Sequence, residues 1–197
     1  MIVVDIETSG LSPKNNSILS IGAVHFDNPS NRFYEECLVR KDSKISAQAL
    51  EVNGFEKDEI TMGDKQSEES LVRNLVVWVK TIKDKVFAAH VPNFDFEFLK
   101  YCFEIYEIDN PFIFRPVDMH SIAYMAMVKR GIDPYKDREY KKMSGNVIFE
   151  FVGMPNEPLP HHGLTGALFE TEVFSRILYG KNLIEDFKDC PVPDFLI

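Results

Sequence analysis

The chain begins MIVVDIETSGL, and two carboxylates, Asp5 and Glu7, follow an apolar run at a spacing of two. In an extended strand, positions i and i+2 project to one face, so these side chains converge while Ile6 points away. Like charges this close repel unless a cation stands between them, and carboxylate oxygens suit a divalent ion. The plain alternative is a strand that ends in solvent. A third acid, Asp95, sits in AAHVPNFDFEFL, after a strand pattern and in the first turn of a helix. The helix dipole alone favours an acid there, but the carboxyl edge of a strand is also where α/β sheets place their sites. His161 and His162 follow NEPLP and open the last helical segment. Either is a surface residue or a general base, since imidazole titrates near neutral pH. Adjacent histidines do not readily share one metal and no H-E-x-x-H occurs, which argues against zinc.

The elements that must carry these residues can be read from pattern. Residues 2–6, 18–26 and 32–39 read as three strands joined by short turns, hence antiparallel neighbours. A short helix over 45–53 closes at Gly54. A stronger one over 67–82 carries Leu71, Leu75, Trp78, Val79 and Ile82 at helical spacing. Strand 86–90 leads into a helix over 93–106 started by Asn93, and strand 111–118 leads into a helix over 119–130. Residues 131–145 are polar and aperiodic and read as a loop. NVIFEFVG reads as one or two helical turns, and residues 161–180 as a helix. Three antiparallel strands followed by alternating strands and helices predict a mixed α/β sheet. We expect one domain over 1–180 and a tail over 181–197. The tail's apolar end either packs back or meets a partner.

With 197 residues, 45% of them hydrophobic, and 16 Phe, the chain can fill a sizeable core. Three widely spaced cysteines without a C-x-x-C argue against a disulfide framework or zinc ribbon and fit a reducing, cytoplasmic setting. The first strand leaves no room for a signal peptide, and no stretch reads as membrane-spanning. A net charge of −9 argues against coating nucleic acid through a broad basic surface, though not against gripping a strand end.

Taken in order, VVDIETSGL, HVPNFDFEFL and HHGLTGALFETEVF resemble the motifs of the DEDDh, or DnaQ-like, 3′–5′ exonucleases. The likeness runs from residue 2 to about 180. ILSIGAV, ALEVNGF and PVDMHSIAYMA are similar to intervening segments of that family. The resemblance implies a ribonuclease H-like fold and hydrolysis of nucleotides from a single-stranded 3′ end of DNA or RNA, with two Mg²⁺ or Mn²⁺ ions. It makes Asp5, Glu7 and Asp95 the metal carboxylates and His161 the general base, because Leu164 and Ala167 then fall on the family's positions. It sets Thr8 and Leu11 beside the terminal nucleotide. A second copy of the chain or a polymerase-type protein stays open as a partner.

Two positions depart from the pattern. Gly166 stands where the family has its fourth carboxylate, and Val91 where it usually has Asn. The first metal site would then have two carboxylates where the family has three, and an aspartate at 166 should restore it at little cost in stability. Glu170, one turn on, reads as a solvated helix residue that reaches a metal only if the helix end shifts or a water bridges. Gly166 therefore leaves a second reading open, a catalytically degenerate module that binds nucleic-acid ends or a protein. A third, a phosphatase for small esters, lacks a nucleophile motif or Gly-rich phosphate loop.

Overall fold

A computed structural model describes residues 1–135 and 143–197. Five strands, β1 (Ile2–Thr8), β2 (Ile18–His25), β3 (Arg32–Glu36), β4 (Val86–Ala89) and β5 (Ile113–Asp118), form one sheet in the order β3-β2-β1-β4-β5. β1–β2 and β2–β3 are antiparallel, while β1–β4 and β4–β5 are parallel. This is the expected mixed α/β sheet. β3 ends at Glu36, short of the expected 39: Cys37 still donates to the Leu19 carbonyl of β2 but also bridges to Gln66, and the Leu38 amide donates to the Gln66 carbonyl.

Helices α1 (Ala47–Asn53), α2 (Lys57–Met62), α3 (Glu68–Lys80), α4 (Pro92–Ile105), α5 (Met119–Val128), α6 (Gly145–Phe151) and α7 (Gly163–Tyr179) surround the sheet. α2 falls in a stretch that pattern left unassigned. It is only six residues long and starts from a glutamate, Glu56, which forms a reciprocal capping box with Glu59. Most of the predicted loop 131–145 precedes α6; its residues 136–142 lie outside the described residues.

Alternation along β1 divides the core. Ile2, Val4 and Ile6 pack with α3 and α4 on one face, including Leu71, Leu75, Phe98 and Leu99. Val3 packs on the other face with α5, α6 and α7, including Met119, Phe149, Phe169 and Val173. Asp5 and Glu7 continue the Val3 face, so the period of two aims both acids toward α7.

α7 meets the sheet without spacers. A Cβ on Gly22 of β2 would lie 2.2 Å or less from the backbone of Gly163 and Leu164, and one on Gly163 would lie 3.0 Å from the Asp5 carbonyl. Glycine at both positions lets the start of α7 rest on β1 and β2 backbone to backbone. The far half of α7 is held by Arg176, which is fully buried. Its Nε donates to Glu172 Oε1 at 2.7 Å, and its Nη atoms donate to the carbonyls of Val152 and Cys190, each at 2.9 Å. The segment after α7 returns to this face, where Ile184, Phe187 and Leu196 are buried. No helix among the described residues is long and apolar enough to cross a membrane.

Candidate active site

The parallel strands β1, β4 and β5 all end at one edge of the sheet, where a cleft of about 420 Å³ opens. It is lined by Asp5, Glu7, His90, Val91, Asp95, Asn146, Glu157, His161, Gly166 and Glu170, among others. Within β1, Asp5 alone keeps partial exposure, and that exposure is to this cleft.

Asp95 is held by an unpaired strand edge. β1 pairs with β4 only at Ile2 and Val3 and then runs on past it. The Ile6 amide donates to Asp95 Oδ1 at 3.2 Å, so the carboxylate satisfies a buried donor that the ladder leaves free. α4 begins one residue earlier than expected, with Pro92 at its first position and Val91 as its cap. Val91 has φ of 57°, a conformation that a β-branched residue rarely adopts and asparagine tolerates. The family's usual Asn at this position thus has a backbone reason, and Val91 carries strain in its place.

His161 lies just ahead of α7, which starts at Gly163, two residues later than pattern indicated. Its amide donates to the Val52 carbonyl at 2.9 Å, tying the approach loop to α1. Its ring faces the cleft with Nδ1 4.0 Å from Glu157 Oε2. His162 turns away and stacks on Tyr34, with ring centroids 4.2 Å apart. Thr8 and Leu11 border an adjoining hollow of about 300 Å³ together with Val52, Asn53 and Phe94. Leu11 is 85% exposed at its rim.

The expectation for Glu170 is overturned. Its side chain is 5% exposed, not solvated; it lines the cleft, and Oε2 accepts from the His90 amide at 3.0 Å. The rotation of α7 that sets Gly163 on Gly22 turns this helix face inward. Glu157, in NEPLP, is a carboxylate that sequence reasoning missed. Its side chain is 11% exposed, and its Oε1 is buried with no hydrogen-bond partner among the described residues. Asn53 was missed as well. Buried at the end of α1, it donates to the Thr8 carbonyl at 3.0 Å and lies close enough to Glu7 to favour its charged form. A Cβ at 166 would lie 2.1 Å from Asp5 Oδ2, so an aspartate there requires the Asp5 carboxylate to shift.

Five carboxylates therefore share the cleft, and burial pushes each toward its neutral form. Glu7 rises to about 7, from desolvation and then the nearby Glu157, against the opposing effect of the Asn53 side chain. Asp95 rises to about 8, chiefly from burial, against the hydrogen bond from the Ile6 amide. Glu157 rises to about 7 through burial. Asp5 and Glu170 are also raised well above the usual carboxylate range, by desolvation and then by neighbouring acids, Glu170 for Asp5 and Asp95 for Glu170. Burial lowers His161, leaving its imidazole neutral and able to accept a proton at neutral pH. Buried, mutually repelling oxygens, one without a donor, match a hard divalent cation in kind and charge. Among the described residues no three such side chains are already gathered as a finished coordination group, so the fit lies in donor chemistry.

The sheet order, the acidic cleft at its carboxyl edge and the histidine before α7 define a nuclease of the ribonuclease H-like class. The model of the RNase_T exonuclease family matches residues 2–168, and the chain belongs to this family as a DnaQ-like 3′–5′ exonuclease. The 3′–5′ DNA exonuclease Cap18 of Escherichia coli is 30% identical over 128 residues, 62% of this chain and 67% of that protein. The PolC-type DNA polymerase III of Thermotoga maritima is 29% identical over 99 residues, 50% of this chain and 7% of the polymerase. Among solved structures, the nuclease domain of 3′hExo, a DEDDh family member bound to rAMP, matches with a TM-score of 0.68 at 13% identity over 98% of this chain and 94% of that one. E. coli Exonuclease I in complex with a dA16 oligonucleotide matches with a TM-score of 0.69 at 16% identity, over 89% of this chain and 40% of that one. At these identities the structural likeness carries the fold.

Proposed function

We propose that this chain is a metal-dependent exonuclease that removes nucleotides from a single-stranded 3′ end of DNA or RNA. The observation that carries the reading is the convergence of Asp5, Glu7 and Asp95 with two further carboxylates at the cleft beside His161. Asp5 and Glu7 would hold the first Mg²⁺ or Mn²⁺, and Asp5 and Asp95 the second. When bound, such ions offset the charge on the attacking and leaving oxygens of a phosphodiester. The chain's own residues do the rest. His161, kept neutral by burial, takes the proton from the attacking water at its cleft-facing ring. Glu157 Oε2, 4.0 Å from Nδ1, favours the imidazolium that results. The hollow beside Thr8 receives the terminal nucleoside, with the exposed Leu11 and Phe94 offering apolar surface to the base. A hollow of about 300 Å³ suits one unpaired nucleotide, which favours single-stranded ends.

The test is incubation of a 5′-labelled single-stranded oligonucleotide, DNA and RNA in parallel, with the protein and Mn²⁺. A ladder shortening from the 3′ end is the expected result. Binding without cleavage under any metal condition would replace this reading with the degenerate end-binding module. Hydrolysis of a generic phosphate ester alone would replace it with a phosphatase.

A further inference from the structure

We infer that Glu157, from the loop between α6 and α7, supplies the carboxylate that position 166 lacks. The inference rests on the metal-dependent reading above and deepens it. A Cβ on residue 166 would point between two oxygens, Asp5 Oδ2 at 2.1 Å and Glu157 Oε1 at 3.3 Å. The space that a helix-borne side chain would enter is thus taken by Asp5 and by an acid arriving from another element. Glu157 is held in place from both ends. Its amide donates to Asn146 Oδ1 at 3.3 Å, and its Oε2 faces His161. Its Oε1 is buried and has no partner among the described residues. A buried carboxylate oxygen without a donor is costly, and a bound cation removes that cost.

The other acid near α7 is differently engaged. Glu170 Oε2 accepts from the His90 amide and so fastens the turn between β4 and α4. That bond engages one oxygen of Glu170 and gives it a positioning role, whereas among the described residues Glu157 hydrogen-bonds through neither carboxylate oxygen and its Oε1 stands beside the place a side chain at 166 would take. The longer side chain of glutamate also suits a donor that reaches in from a loop, and glycine at 166 keeps the helix surface clear for it.

The experiment is a calorimetric Mn²⁺ titration of the full chain and of Glu157→Gln and Glu170→Gln, with melting temperatures measured in EDTA and in Mn²⁺. Glu157→Gln is isosteric and should fold as the parent does in EDTA. It should lose tenfold or more in affinity for the tighter ion and most of the Mn²⁺-induced rise in melting temperature. Glu170→Gln should lose less. Unchanged Mn²⁺ affinity in Glu157→Gln, with the parent binding normally, overturns the assignment, and so does a larger loss in Glu170→Gln. A parent chain that takes up no Mn²⁺ overturns both this assignment and the reading beneath it.

Discussion

Placing any side chain at residue 166 should damage this protein, although the family carries an aspartate there. In an ordinary helix, Gly→Ala stabilises by about 0.5–1 kcal/mol because glycine loses more backbone freedom on folding. Here the added Cβ would stand 2.1 Å from Asp5 Oδ2 and 2.8 Å from Asp5 Cγ. Asp5 must leave its rotamer and move within the cleft it borders, toward the carboxylates of Glu170 and Glu157. Overpacking of this kind costs about 1–3 kcal/mol, so the net for Gly166→Ala is a loss of up to ~2 kcal/mol. For a chain of this size, each kcal/mol lowers the melting temperature by about 2–4 °C. Gly166→Asp adds a sixth carboxylate to five that already repel. The helix dipole returns only about 0.3–1 kcal/mol. Displacing Asp5 by an ångström should cut turnover about 10²-fold. The assay is a pair of thermal melts in EDTA and a nuclease time course for both variants. If Gly166→Ala melts above the parent, or Gly166→Asp cleaves faster, the steric reasoning is wrong and the cleft was waiting for its missing acid.

The metal-free protein should lose stability as pH rises. Glu7 and Glu157 titrate near 7 and Asp95 near 8 in the fold, against roughly 4 when unfolded. The folded state therefore binds more protons between these limits, so melting temperature in EDTA should fall from pH 5 to pH 8. Mn²⁺ should oppose the fall, and a flat profile would refute the shared acidic cleft. His161→Ala should lower turnover about 10²-fold, while His162→Ala, which loses a stack on Tyr34, should change it little; the reverse result would exchange their roles. Arg176→Ala should destabilise by about 3 kcal/mol, because Glu172 is left buried without its counter-ion, with only the Leu183 and Ile184 amides as donors. Chemical denaturation measures this, and a loss under 1 kcal/mol would show that the buried pair contributes little.

Sequence pattern singled out Asp5, Glu7 and Asp95, which line the cleft, because each is placed by a local rule. A period of two aims the first pair and a strand end followed by a helix start positions Asp95, whereas pattern left His161 and His162 equal and only the family resemblance chose His161. The sheet was readable for the same reason, since short turns force antiparallel neighbours. Glu170 was misread because inward or outward orientation of α7 depends on its rotation against β1 and β2. That rotation is set by the contact of Gly22 with Gly163, residues 141 positions apart in the chain. Glu157 was invisible for a related reason. NEPLP is polar and Pro-rich like any surface connection, and only the path of the loop back over Asn146 buries its acid. The one local signal for Asn53 was its place before Gly54, which marks a helix end and says nothing of the Thr8 carbonyl it reaches.

Homology and folding have different borders in this chain. The family match stops at residue 168, six residues into α7. Arg176, two turns beyond that border, ties the same helix to the carbonyls of Val152 and Cys190. The first of these ends α6, from which the Glu157 loop departs; the second belongs to the returning tail. A fragment trimmed at residue 168 would keep Asp5, Glu7, Asp95 and Glu157 and lose Glu170, the fifth acid of the cleft. It would lose the fastening that sets the height of the loop above them. The acids of the cleft are thus braced by a segment that lies outside the family match.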